Sequence, residues 1–242
     1  MDEHPSLEGQ VALVTGASRG LGYHSALALA RAGAHVIALA RTQGGLEELD
    51  DEVSAAGGSA TLVPLDVCDA EGLDRLAPAI ADRWGRLDVL FGCAGYLAPL
   101  TPLAHLKDAE WQRSLRINVE ANLRLIRSVD PLLRAAENGT ALFVASSAPR
   151  NARAYLGPYS ATKAALDVLV RTYANETRQT RVTANLLDPG NLRTRMRAQY
   201  APGEDREKLT PPENVADLLP RVLVEARQRS GETFRYQDGS WS

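Results

Sequence analysis

Residues 10–22, QVALVTGASRGLG, decide how the rest of this chain is read. The stretch opens as a short, almost wholly apolar run, which reads as a buried strand. It passes at once into a turn holding Gly16, Gly20 and Gly22. The next residues, LGYHSALALARAG (21–33), carry apolar side chains at helical spacing and stop at Gly33. A strand, a turn without Cβ atoms and a helix N-terminus together form a cradle for a pyrophosphate. Backbone N–H groups can approach there, and the helix end is electropositive. The spacing G-x3-G-x-G departs from the commoner dinucleotide fingerprint, so the weight rests on the position of the glycines between strand and helix.

Outward from this unit the same alternation repeats. HVIALA (35–40) reads as strand, GGLEELDDEVSAAGG (44–58) as helix, and ATLVPLDV (60–67) as strand again. A helix ending at Trp84, a strand in LDVLFGCAG (87–95) and a long helical stretch at about 108–137 follow. ALFVAS (141–146), a helix holding Tyr159, and RVTANLLDPG (181–190) complete the series. Strands separated by helices of this length pair in parallel through right-handed crossovers. Near-continuous apolar strands mean that both faces are covered. The expectation is an α/β fold: one Rossmann-type domain over residues 1–242, with a doubly wound parallel sheet flanked by helices on both faces. The least regular segment, NLRTRMRAQYAPGEDREKLTPP (191–212), reads either as a lid over a site or as a solvated surface loop.

Composition narrows the function classes. A net charge of -3 and a sequence pI near 5.9 give no sign of a nucleic-acid or anionic-membrane partner. No apolar run approaches the ~20 residues that span a bilayer. The opening MDEHPSLEGQ has neither a basic nor an apolar leader region. Two cysteines, Cys68 and Cys93, are too few for a disulfide framework, and the expected location is cytoplasmic. His4, His24, His35 and His105 show no ligand spacing, so no metal is expected.

The end of the second strand discriminates the nicotinamide cofactors. An acidic residue there would bind a ribose 2′-hydroxyl, and an arginine a 2′-phosphate. Here Ala40 is followed by Arg41, and Arg19 adds a cation from the glycine turn. Both favour NADP(H) over NAD(H). Tyr159 and Lys163, in GPYSATKAAL, stand four positions apart and share one helix face. An ammonium one turn away favours phenolate. Pro158, suited to a first helical turn, places Tyr159 near the positive helix end and pushes the same way. The expectation is a tyrosine pKa below the usual ~10.

With TGASRGLG, CAG (93–95), Asn118, Ser146-Ser147, Tyr159-x3-Lys163 and PGNLRT (189–194) in this order, the chain resembles the classical short-chain dehydrogenases/reductases over about its whole length. The resemblance implies hydride transfer between a nicotinamide and a small-molecule carbonyl or alcohol substrate. It implies Tyr159 as general acid/base, Lys163 also holding the nicotinamide ribose, and Asn118 anchoring a water chain toward that lysine. The family's usual interval, counted back from Tyr159 without gaps, lands on Ser146 as the residue that hydrogen-bonds the substrate oxygen. A one-residue deletion in the loop would give that role to Ser147. The cofactor contacts implied are Gly16, Ser18, Arg19, Gly20, Leu21 and Gly22 in the turn, and Arg41, Asp66 and Val67 beside the adenosine. Cys93, Ala94, Gly95, Pro189, Gly190 and Thr194 would lie around the nicotinamide and pyrophosphate. Cys93 replaces the family's usual asparagine, a residue that braces the central strand. The resemblance also implies a homodimer or homotetramer. Two other readings stand beside the reductase: a non-catalytic dinucleotide-binding redox sensor, and a carrier-linked 3-ketoacyl reductase using Arg193, Arg195 and Arg197. RAYLG (153–157) and Tyr200 are expected at the mouth of the pocket, where aromatic rings suit an apolar substrate portion.

Overall fold

In the computed structural model, which describes residues 5–242, the opening stretch forms β1 (Val11–Thr15) and α1 (Gly20–Arg31). Met1–His4, which include one of the four histidines and the start of the stretch read as leaderless, lie outside the described residues. β2 (His35–Ala40), α2 (Gln43–Ala55), β3 (Ser59–Pro64), α3 (Ala70–Trp84) and β4 (Val89–Gly92) follow in alternation. α4 (Asp108–Leu115) then passes through a π-helical turn, Arg116–Glu120, into α5 (Ala121–Ala135). β5 (Thr140–Val144) leads to a single turn, α6 (Ala148–Asn151), and to the long α7 (Gly157–Glu176). β6 (Thr183–Asp188), α8 (Arg195–Tyr200), α9 (Pro212–Asp217), α10 (Leu219–Ala226), β7 (Thr233–Arg235) and β8 (Ser240–Trp241) complete the chain.

The eight strands form one sheet in the order β3-β2-β1-β4-β5-β6-β7-β8. All neighbours pair in parallel except β7 and β8, which form an antiparallel edge hairpin. That return strand lies outside the expected parallel sheet. Two residues are too short to carry a periodic signal, and packing of Trp241 on Phe234 (ring centroids 5.4 Å apart) holds it. Strand side chains alternate between two cores. Ala12, Val14, Val36, Phe91 and Leu187 face α1, α2, α9 and α10, whereas Val11, Leu13, Ile37, Leu90 and Phe143 face α3, α5 and α7. Each buried Val, Leu, Ile or Phe among these contributes about 1.5–3 kcal/mol, so the strand ends are fixed by their own packing. The order reverses between β1 and β4, which opens a crevice at the carboxyl ends of the strands, where such sheets bind ligands. The long helical stretch differs from expectation in being broken by the π-turn, which contains Asn118. Among the described residues no helix is long and apolar enough to cross a membrane.

Candidate active site

A cavity of about 570 Å³ fills this crevice. Its walls come from the ends of successive strands: Gly16 after β1, Arg41 after β2, Asp66 and Val67 after β3, Cys93–Gly95 after β4, Ser146 after β5, and Pro189 and Gly190 after β6. α7 adds Tyr159 and Lys163, and Thr194 caps α8 at the rim. Every catalytic and cofactor-contacting residue expected from the sequence lines this cavity except Asn118.

The glycine turn has no room for side chains at two of its glycines. Gly16 and Gly20 both have positive φ (72° and 57°), where a side chain is strained. A Cβ on Gly16 would stand 3.0 Å from the Ala94 Cα, and one on Gly22 only 2.4 Å from the Gly16 carbonyl oxygen. The turn therefore stays bare, and α1 begins directly beneath it with Arg19 at its N-cap. The Arg41 guanidinium lies 3.5 Å from the Asp66 carboxylate, so both residues meet at one end of the cavity. Arg19 is exposed and makes no ion pair among the described residues.

At the other end Tyr159 lies in the first turn of α7, behind Pro158. The Lys163 Nζ, on a residue only 5% exposed, donates to the Val144 carbonyl at 2.6 Å and stands 5.9 Å from the centre of the Tyr159 ring. The expected depression of the tyrosine is overturned. Burial pushes the Tyr159 phenol up to about 12, opposed by the Ser146 hydroxyl and assisted by the Asp188 and Cys93 charges. The surrounding protein removes the water that would solvate phenolate, and this outweighs the help read from the sequence. Lys163 suffers the same loss and drops to about 8, with Cys93 and Asp188 opposing the fall. The Ser146 hydroxyl accepts the Ala148 N–H at 3.1 Å and faces Tyr159, whereas Ser147 lies at the N-cap of α6.

This arrangement has close relatives. The profile of the short chain dehydrogenase family matches residues 10–205. The chain is a short-chain dehydrogenase. The oxidoreductase YciK of Escherichia coli is 35% identical over 240 residues, covering 96% of this chain and 94% of its own. A 3-oxoacyl-[acyl-carrier-protein] reductase of Synechocystis is 31% identical, covering 97% and 98%. A short chain dehydrogenase of Shigella flexneri, solved in complex with NADP, superposes with a TM-score of 0.92 at 34% identity, covering 97% of this chain and 100% of its own.

Other features of this dehydrogenase's site were not legible in its sequence. Asn118 is fully buried: its Oδ1 accepts the Tyr96 N–H at 2.8 Å, and its Nδ2 donates to the Tyr96 carbonyl and to Thr162 Oγ1, each at 2.9 Å. That side chain braces the loop after β4 against α7, and Asn118 itself is not among the residues that line the cavity. Thr15, buried at the end of β1, accepts the Cys93 and Ala94 N–H groups at 3.1 Å each. It ties the two central strand ends together where the family's asparagine is missing. Asp188, 7% exposed, accepts from Arg150 at 3.1 Å and from the Gly190 N–H at 3.2 Å. The only sequence signal for it is a carboxylate immediately before the Pro189-Gly190 turn.

The 191–212 segment packs over the cavity mouth. Arg153 donates to the Tyr200 hydroxyl at 2.9 Å, and Gln199 donates to the Leu97 carbonyl at 3.3 Å. Arg197 forks onto Glu204 at 2.5 and 2.7 Å, and Arg193 lies 3.8 Å from Glu207. Leu156 and Tyr200 line the cavity as expected at the mouth. Tyr155 does not: it is 55% exposed and holds a left-handed φ of 70°.

The lysine's desolvation sets a pH signature in the cofactor-free protein. Its folded pKa, about 8, lies below the ordinary 10.5. Below pH 8 both states are protonated and the cost of burying the charge is fully present. Between about 8 and 10.5 the unfolded chain keeps a proton that the folded one has lost, so this group's contribution to stability rises with pH. We expect the stability difference between wild type and Lys163→Met, from urea unfolding, to shift in favour of wild type from pH 8 to 10. A flat difference would remove the buried-ammonium account.

Proposed function

We propose that this short-chain dehydrogenase is an NADP(H)-dependent reductase of ketones, working reversibly on secondary alcohols. The observation that carries the reading is one cavity holding a Cβ-free phosphate cradle at one end and Ser146, Tyr159 and Lys163 at the other. When bound, the nicotinamide supplies or accepts the hydride. The glycine turn and the N-terminus of α1 would hold the pyrophosphate. Arg19 and Arg41 would hold a 2′-phosphate, and Asp66 and Val67 the adenosine. Cys93 to Gly95, Pro189, Gly190 and Thr194 would flank the nicotinamide half. The relatives solved with NADP and NADPH favour the same cofactor.

Ser146 orients the substrate oxygen by a hydrogen bond. Tyr159, held protonated at neutral pH by its burial, gives its proton to that oxygen as negative charge develops there, which suits the reductive direction. The Lys163 ammonium then faces the resulting phenolate across one helical turn and stabilises it. We assign the 191–212 segment the role of a cover that excludes water during transfer. The chain is read as one domain, cytoplasmic, assembling as a homodimer or homotetramer through α5 and α7, where Leu123 and Val168 are exposed.

The Synechocystis relative keeps a carrier-linked 3-ketoacyl reductase as a second reading. Against it, Arg193 and Arg197 are already partnered by Glu207 and Glu204. A carbonyl panel assayed with NADPH and NADH tests both. We expect turnover of free ketones with NADPH, slower turnover with NADH, and a narrowed gap in Arg41→Ala. Equal rates with the two cofactors in wild type would remove the role given to Arg19 and Arg41. Turnover of carrier-bound ketoacyl groups alone would favour the second reading, and NADPH binding with no turnover at all would favour a redox sensor.

A further inference from the structure

Behind the Pro189-Gly190 turn lies a second cavity of about 400 Å³. It shares walls with the first: Ser147, Asn151, Arg153 and Asp188 line both. Three guanidinium groups face it. Arg150 is paired with Asp188 at 3.1 Å. Arg153 donates only to the Tyr200 hydroxyl and has no carboxylate partner among the described residues. Arg235, half-buried on β7, makes no ion pair there, and its buried Nε has no acceptor. The register of β6 and β7 sets Arg235 directly beside Asp188, so both side chains leave the sheet on one face. The two carboxylates present do not neutralise the arginines: Asp188 is engaged by Arg150 and by the Gly190 N–H, and Asp238 is exposed at the rim.

Arg153 and Arg235, two guanidinium groups lining one cavity without carboxylate partners among the described residues, suit an incoming oxyanion by charge-assisted hydrogen bonds. The planar fork of arginine matches a carboxylate or a phosphate. A substrate whose carbonyl oxygen lies at Ser146 and Tyr159 has the next serine, Ser147, in the shared wall. We propose that the second cavity receives the oxyanion end of the substrate, with Arg235 and Arg153 as its ligands. Resting on the reductase reading above, this narrows the substrate class to carbonyl compounds that carry a carboxylate or phosphate.

The test compares, with NADPH, keto acids of increasing chain length, their methyl esters, and keto phosphonates of matched length. At one length the KM of an acidic compound is expected to fall about tenfold or more below that of its ester, the scale of a charge-assisted hydrogen bond. Whether acid or phosphonate is favoured identifies the oxyanion. Arg235→Gln is expected to remove the preference by raising the KM of the acid, with the melting temperature retained. Equal KM values for acid and ester at every length overturn the proposal, as does a preference that persists in Arg235→Gln. Because Arg235 is half-buried, a second measurement uses wild type alone: calorimetric titration of the NADPH-loaded protein with hexanoate and with methyl hexanoate. Saturable binding of hexanoate alone supports the site; indistinguishable traces overturn it. A protein that reduces neither acids nor esters sinks the reductase reading, and the titration then decides the anion site by itself.

Discussion

Tyr159→Phe is expected to bind NADPH as wild type does and to lose about 10²–10⁴-fold in kcat on any ketone the wild type reduces. The phenyl ring keeps the packing of the first turn of α7, and only the hydroxyl that gives the proton is removed. Ser146 can still orient the substrate oxygen, so KM should change far less than kcat, the pattern of an interaction made in the transition state. Fluorescence titration with NADPH and steady-state kinetics on one ketone separate the two effects. Turnover within a few-fold of wild type would assign the proton to another group, and the reading of this cavity would have to be rebuilt around it.

Gly22→Ala should act at the opposite end and by a different cause. The added methyl would stand 2.4 Å from the Gly16 carbonyl oxygen and 2.8 Å from its carbon, and both are backbone atoms of the turn. No side-chain rotation relieves such an overlap, so the turn or α1 has to move. Forced overpacking of this kind costs about 1–3 kcal/mol, and the movement opens the cradle that would hold the pyrophosphate. The expected result is a Kd for NADPH raised at least about tenfold together with a lower melting temperature. Gly203, where a Cβ meets nothing within 4 Å, provides the comparison, and Gly203→Ala should leave both measurements unchanged. Wild-type affinity in Gly22→Ala would show that the cofactor does not depend on this turn.

The architecture was legible because it is written locally. Apolar runs of five or six residues, helices ended by glycine, and the turn at Gly16 to Gly22 each carry their own signal. The family resemblance of Tyr159-x3-Lys163 added order and spacing. What stayed hidden depends on contacts between distant segments. Asp188 and Arg235 become neighbours only through the pairing of β6 with β7, 47 residues apart in sequence. Asn118 lies in a π-turn and bonds across to Tyr96 and Thr162, and no residue pattern in RINVE announces that turn. The direction of the Tyr159 shift was misread for a related reason. Sequence spacing shows the lysine one turn away but not the protein that removes water from both groups.

The edge hairpin has a consequence for how this molecule comes into being. Gln237, in the turn between β7 and β8, packs on Gly190, where an added Cβ would meet it at 3.1 Å. Trp241 is fastened to Glu225 through its indole N–H at 2.8 Å. Along the chain the glycine turn precedes Tyr159, and the hairpin that supports the Pro189-Gly190 turn follows both. A nascent chain thus carries the glycine turn and Tyr159 well before it carries the hairpin that braces the wall between them.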